Sequence, residues 1–376
     1  MERLTRAELQ ARNRAKVLAA AREEFAERGF RDAKVDAIAD RAGLTRGAVY
    51  SNFPGKRALY FSVLADLAER EAGRDAADPP APAPGERPAT GPSGAVAPGA
   101  ATAGEALAAF ARAWVSRLPL ATDQPSRLGM DLMPEVLADQ RVRLPFAQLM
   151  KLNALVLGLA LERLDGAGHA GGRRRVRVAE VALTTLYGAS QMADAAPGFA
   201  EPFDVVAACA ALADLDLGDR WDAPHLPFVP RARPADEPWS PPPAVDALAG
   251  GPAPLAGDGV VAVLGLHRLG AVEEAVRAAP PAGEVTVAVV TGDPGELGPL
   301  ARLTVAELRS CLRRAVPAPA WPRLRVVHDE EGAVAAAAGV SAVSDGTEAA
   351  VRVRSGRVVA RADGYGACHA AASARP

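Results

Sequence analysis

The residue that most constrains this chain is Gly43, a glycine set between two short stretches of helical period. Before it, Val35, Ile38, Ala39 and Ala42 recur at the spacing of one helix face, and a glycine at the next position supplies the left-handed residue that ends such a helix. Leu44 covers the turn. Thr45 is placed as the N-cap of a second helix reaching about Asn52. In that helix Ala48, Val49 and Phe53 face inward, while Arg46, Tyr50, Ser51 and Asn52 face outward. Two helices joined this tightly form a helix-turn-helix, and the second is the one that reads a DNA groove.

The flanking sequence supports a rigid base for that pair. Thr5 and Glu8 are spaced as a capping box for a first helix that runs to Arg28 and is stopped by Gly29. Its stripe of Val17, Leu18, Ala21 and Phe25 is core, and Phe30 packs behind the turn. Pro54 and Gly55 break the chain after the reading helix, so that Lys56 opens a fourth helix reaching about Arg70, where its ammonium can meet a phosphate. Charge is distributed to match: residues 1–60 hold 13 Lys/Arg against 8 Asp/Glu, while the remaining residues hold 30 against 37, although the whole chain has a formal charge of only -2.

The run from Arg12 to Tyr60, with Gly47, Tyr50, Phe53 and Lys56 at its end, resembles the N-terminal domain of TetR-type bacterial transcriptional regulators. The resemblance implies that Thr45, Arg46, Gly47, Tyr50, Asn52 and Lys56 line DNA, with Tyr50 and Lys56 mostly on phosphates and the helix start nearest the base edges. Ser51 shares the outward face. The chain departs from the family at Ala33-Lys34, where a Ser/Thr cap is usual, so the second helix is expected to be capped less well. The partner implied is a palindromic double-stranded operator bound by a homodimer, and the function implied is a repressor released by a small molecule.

Residues 73–103, rich in Ala, Pro and Gly and without periodicity, read as a disordered insertion after a DNA-binding unit of residues 1–72. Residues 104–220 return to helical periods near 104–118, 126–140, 145–164, 174–195 and 201–217, and resemble the helical ligand-binding and dimerisation domain of the same family. Small residues of the last two helices, among them Ala179, Ala182, Gly188, Ala189, Ala207, Ala210 and Ala211, permit close helix approach across a two-fold axis. Trp114, Met130, Met133, Phe146, Met150, Tyr187 and Gln191, with Met192 beside them, are the candidate lining of an effector pocket. For each of them ordinary core is the competing reading.

Residues 221–256 read as a Pro-rich linker in which Trp221, Phe228 and Trp239 dock on a neighbour. Beyond them the period changes. Short β-branched runs at 259–265, 284–290 and 324–329 alternate with helices near 272–279, 304–316 and 333–338, and a hairpin over 349–362 turns at Ser355-Gly356. The fold class expected is therefore multidomain: an all-α helix-turn-helix and helical ligand domain, then an α/β thioredoxin-like domain over 257–376. Residues 326–340 and 349–367 carry a resemblance to the cysteine-poor thioredoxin-like appendage of flavin-dependent aromatic hydroxylases. Gly265-Leu266-His267-Arg268 stands where an active-site thiol would follow the first strand, so no catalytic residue, cofactor or enzymatic activity is expected.

Three cysteines, Cys209, Cys311 and Cys368, are too few and too scattered for a disulfide framework or zinc site, and no histidine spacing indicates a metal. Cys311 beside Arg309, Arg313 and Arg314, and Cys368 beside His369, are the residues of the alternative reading, a redox-linked regulator or an oxidoreductase. The opening residues read as a charged helix rather than a signal peptide, and no apolar run reaches the roughly 18 residues of a membrane span. A cytoplasmic, membrane-free location is the expectation.

Overall fold

The computed structural model describes residues 5–77, 102–118, 128–166, 173–224, 231–280 and 283–374. Four helices open the chain: α1 (Arg6–Asp32), α2 (Val35–Ala42), α3 (Arg46–Asn52) and α4 (Lys56–Ala77). The Thr5–Glu8 capping box is formed, and Gly29 interrupts the helical geometry of α1 with φ 74°. Phe30 then sits with Phe25 and Tyr60 in an aromatic cluster, ring centroids 5.0 to 6.0 Å apart. Tyr60 has no exposed surface, and its hydroxyl donates to the Leu128 carbonyl at 2.6 Å, so α4 is tied to the helices that follow.

Those helices are α5 (Ala103–Val115), α6 (Leu132–Ala138), α7 (Gln140–Leu164), α8 (Val176–Ala195) and α9 (Pro202–Ala211). Pro145 does not begin α7 as its chemistry suggested. Asp139 caps the helix by accepting from the Arg141 N–H at 2.9 Å, and the proline lies in the second turn, where it takes the i+4 donor from the Arg141 carbonyl alone. By length and composition α7 is apolar enough to cross a membrane, but its most apolar stretch is 72% buried inside the protein. The expected insertion at 73–103 falls mostly on residues outside those described; α4 extends to Ala77, and α5 starts at Ala103 behind a Thr102–Glu105 capping box.

The remainder is an α/β unit. Strands β1 (Arg233–Pro238), β2 (Val245–Asp246), β3 (Gly251–Pro252), β4 (Gly259–Gly265), β5 (Glu284–Val290), β6 (Leu324–His328), β7 (Glu348–Arg354) and β8 (Arg357–Asp363) accompany helices α10 (Val272–Ala278), α11 (Leu297–Ala315), α12 (Ala333–Ala337) and α13 (Ala367–Ser373). The main sheet runs β1-β8-β7-β4-β5-β6, with β4, β5 and β6 parallel and the others antiparallel, and β2 with β3 forms a short separate ladder. Ser355 (φ 51°) and Gly356 (φ 71°) both turn left-handed between β7 and β8, the signature of a type I′ hairpin.

Two expectations are corrected here. Residues 221–256 are not simply a linker, because β1 is the edge strand of the sheet and Trp239 is buried against its far face, with Nε1 donating to the Leu255 carbonyl at 2.7 Å. Proline is compatible with an edge strand, since its missing donor can face away from the ladder. Trp221 lies 6.2 Å from the His369 ring, whereas Phe228 is outside the described residues. Nor is the α/β unit an appendage. One continuous hydrophobic core joins the first helices, the helical unit and the sheet face that includes Val260, Ala262, Leu264, Val285, Val287 and Val326. The opposite face packs its own cluster under Trp239, Leu255 and Val334.

The element that joins them is α11, which lies against α4, α5 and α7 as well as β6. Polar pairs fix it in place. Asn153 on α7 donates to the Thr304 carbonyl at 3.1 Å inside the seam, and Arg302 meets Glu69 of α4 at 3.5 Å. At the other side of the seam Glu162 of α7 takes both guanidinium nitrogens of Arg277 at 2.7 Å while accepting from the Arg175 N–H.

Candidate nucleic-acid interface and ligand clefts

The helix-turn-helix forms as its residues dictate. Gly43 ends α2 at φ 64°, with its N–H returned to the Ala39 and Asp40 carbonyls, and Lys34 at the α2 N-cap makes no side-chain cap bond. Thr45 Oγ1 accepts from the Ala48 N–H at 3.2 Å and so starts α3. Ile38, Val49 and Phe53 are buried beneath. The far end of α3 is held by a residue that the sequence reading did not single out. Arg14 of α1 donates to the Asn52 carbonyl at 3.0 Å and lies 4.4 Å over the Phe53 ring, which satisfies a carbonyl at the helix end. No spacing rule points from position 14 to position 52.

The exposed face of α3 presents Thr45, Arg46, Gly47, Tyr50 and Ser51. Arg46 pairs with Asp36 at 3.3 Å and lies 5.6 Å from the Tyr50 ring, so its guanidinium is poised over solvent by two weak contacts. Asn52 departs from its expected outward position. It is half-buried and its amide donates back to the Ala48 carbonyl at 2.8 Å. Its side chain is long enough to bond the preceding turn of its own helix, a competition that residue spacing does not report. Lys56 is also half-buried, with Nζ donating to the Arg31 carbonyl at 3.0 Å over the Phe30 ring, and desolvation lowers its pKa. Its ammonium keeps two further donors beyond that carbonyl.

Beside this face stands the α/β unit. Gly295 approaches Pro54 so closely that a Cβ there would lie 2.9 Å from the proline Cγ. Arg57, at the start of α4, bridges Glu296 of the α/β unit and Asp139 of the helical unit. The Arg141 N–H and then the Arg57 and Arg141 guanidiniums hold the Asp139 carboxyl far below the usual range. Three parts of the chain thus meet at one guanidinium.

All seven candidate effector residues line one of two adjoining clefts in the helical unit. Trp114, Met130, Met133, Tyr187 and Gln191 line a cleft of about 250 Å³, and Met133, Phe146, Met150 and Tyr187 line one of about 450 Å³. Met133 and Tyr187 are common to both. Trp114 and Tyr187 meet edge to face at 4.8 Å, and Trp114 Nε1 donates to Ser190. Met192, by contrast, is exposed and lines neither. What the sequence reading missed is the contribution of α11, which closes the smaller cleft with Leu303 and Glu307 opposite Arg117. Burial raises the Glu307 carboxyl although Arg117 opposes the shift.

The arginine-rich context of Cys311 does not activate it. The thiol is buried under α5, where Arg117 donates to Sγ at 3.1 Å, and burial pushes it up to about 11. Arg309 and Arg313 point instead towards the β2–β3 segment. Cys368 is buried as well and raised well above its ordinary value by desolvation. Among the described residues no three His, Cys, Asp or Glu side chains gather as metal ligands.

Several known proteins are similar to parts of this chain. The HTH-type transcriptional regulator SrpR of Pseudomonas putida is 46% identical over 65 residues, 17% of this chain and 30% of that protein. The HTH-type transcriptional activator FasR of Mycolicibacterium smegmatis is 45% identical over 51 residues, 14% of this chain and 23% of that protein. The chain thus spans less than a third of the length of either. Among solved structures, Salmonella enterica GusR covers 57% of this chain and 100% of its own at 21% identity and a TM-score of 0.34. Residues 17–63 match the profile described as bacterial regulatory proteins, tetR family. Residues 17–63, which lie within α1 to α4, are accordingly similar to the helix-turn-helix region described by that family.

Proposed function

We propose that the chain is a DNA-binding transcriptional regulator in which α3 reads the operator. The observation that carries this reading is the exposed Arg46, Tyr50 and Ser51 on a helix fixed at both ends, by Thr45 and by Arg14, over a buried base. Rigid presentation of a few side chains is what base readout requires, and the phosphate term supplies most of the affinity. Operator binding by the Tyr50→Ala, Lys56→Ala double variant should weaken and its salt dependence should flatten by about one counterion for the lost lysine. Unchanged binding on a DNA site found by genome-wide footprinting would remove the docking scheme.

Such a reader acts on a palindrome as a homodimer. The reading is supported by an exposed stripe of Val181, Thr184, Gly188 and Met192 on α8 beside Phe203 of α9, which is 82% exposed. Ala179 and Ala182 are not part of it; both turn into the chain's own core. The two helical clefts are the effector site of this reading, with repression relieved when a small molecule prefers the released state. The α/β unit keeps the βαβαβαββα order of a thioredoxin-like domain, and its Gly265–Arg268 loop offers no thiol. Its role in this scheme is structural, as the partner of α4.

A further inference from the structure

The cleft of largest consequence outside the helical unit lies at the end of the edge strand β6. It has a volume of about 750 Å³ and is bounded by α11, the end of β6, the segment around β2 and, on one wall, Glu69 of α4. On α11, Arg302, Ala306 and Arg309 fall at i, i+4 and i+7 and so form one stripe along the cleft, with the alanine leaving room between two guanidiniums.

The charges in the cleft are unevenly matched. Arg302 is shared between Glu69 at 3.5 Å and Glu330 at 3.1 Å. Asp329 is occupied as the cap of α12, accepting from the Val334 and Ala335 N–H groups at 3.1 and 2.8 Å. Arg309 forms no ion pair among the described residues, and its Nε, like that of Arg302, is buried without an acceptor. Its guanidinium lies so close over Gly250 that a Cβ there would clash with it. His328 adds no cation, because desolvation, with Arg302 nearby, pushes it down to about 4. Arg309 is half-buried, and a bound anion would give its enclosed Nε the acceptor it lacks.

We propose that this cleft binds an organic monoanion, a carboxylate carried on a small apolar body, with the carboxylate on Arg309 and Arg302 and the body against Pro242, Val245, Val327 and Val334. Arg309, influenced by the Asp246 and Glu69 charges but in no ion pair among the described residues, leaves its Nε to one carboxylate, in a lining that also holds Asp329. The carboxylates of Glu69, Glu330 and Glu331 around the same cleft repel polyanions, and the apolar wall distinguishes the ligand from inorganic phosphate. Because Arg302 is also the partner of Glu69, a carboxylate that draws it away loosens the contact between α11 and α4. That last consequence rests on the regulatory reading, whereas binding does not.

Calorimetry on the full chain tests the site directly, with octanoate as probe and octan-1-ol and inorganic phosphate as controls. Octanoate is expected to bind at a single site with Kd below about 1 mM, and neither control to bind at that strength. Arg309→Met should weaken octanoate about 10- to 100-fold, the worth of a charge-assisted hydrogen bond, while Arg309→Lys retains part of the affinity. Val245→Trp, at an exposed position on the rim, should block binding without touching the core. Absence of octanoate binding, equal binding of phosphate, or wild-type binding by both Arg309→Met and Val245→Trp would overturn the assignment. Operator affinity with and without octanoate is read separately, so failure to bind DNA leaves the site itself decided.

Discussion

At the scale of single residues, the chain spends its polar groups on fixing geometry. Thr45 is the clearest case, since one hydroxyl bond at 3.2 Å starts the reading helix. Thr45→Ala should lower stability by about 1 kcal/mol in denaturant titration, the usual worth of such a cap. Glu274 shows the opposite economy. Its Oε2 is buried without a partner, and desolvation, with Glu348 adding to it, raises the carboxyl to about 7 from 4.5. The folded state therefore holds this proton more tightly than the unfolded chain, so the penalty is absent below 4.5, grows as pH rises and is complete above 7. Glu274→Gln should accordingly raise Tm at pH 8 relative to the parent and leave it little changed at pH 4. A Tm difference that is the same at both values would show that the carboxyl does not titrate in this way.

At the scale of elements, α9 and the turn before it leave phenylalanine surface in water. Phe199 is 74% and Phe203 is 82% exposed, in a chain whose other phenylalanines among the described residues are half-buried or buried. Exposed apolar surface of this kind marks an interaction face. Phe203→Glu should shift the protein towards monomer in sedimentation velocity, with operator affinity falling as the two reading helices lose their fixed spacing. A variant that sediments as the parent does would exclude this face. On α11, one helix has three duties: its Leu303 and Glu307 face the helical cleft, Arg302 and Arg309 face the cleft of the sheet, and Thr304 receives Asn153. An amphipathic pattern announces only one buried face, yet 14 of its 19 residues are buried.

At the scale of the whole molecule, the α/β unit shares its core with the helical part of the chain rather than hanging from it. The Glu162–Arg277 pair crosses that seam with both partners mostly enclosed. Removing one partner strands the other, so Glu162→Ala should cost roughly 3 kcal/mol or more and show a single unfolding transition for helical and sheet signals together. Two separated transitions in the parent protein would mean that the units fold independently. The sequence by itself determined the local events: the Gly43 turn, the Thr5 and Thr45 caps, the β-branched strand runs and the Ser355-Gly356 hairpin, because each depends on residues only a few positions apart. It also singled out seven side chains that line the helical clefts, since methionine and aromatic side chains are scarce in those helices. Only the tertiary structure decided that a proline-bearing segment is an edge strand, that Cys311 is buried rather than activated, and that α11 joins the sheet to α4. These outcomes depend on groups brought together from distant parts of the chain, where burial and partner choice outweigh local preference.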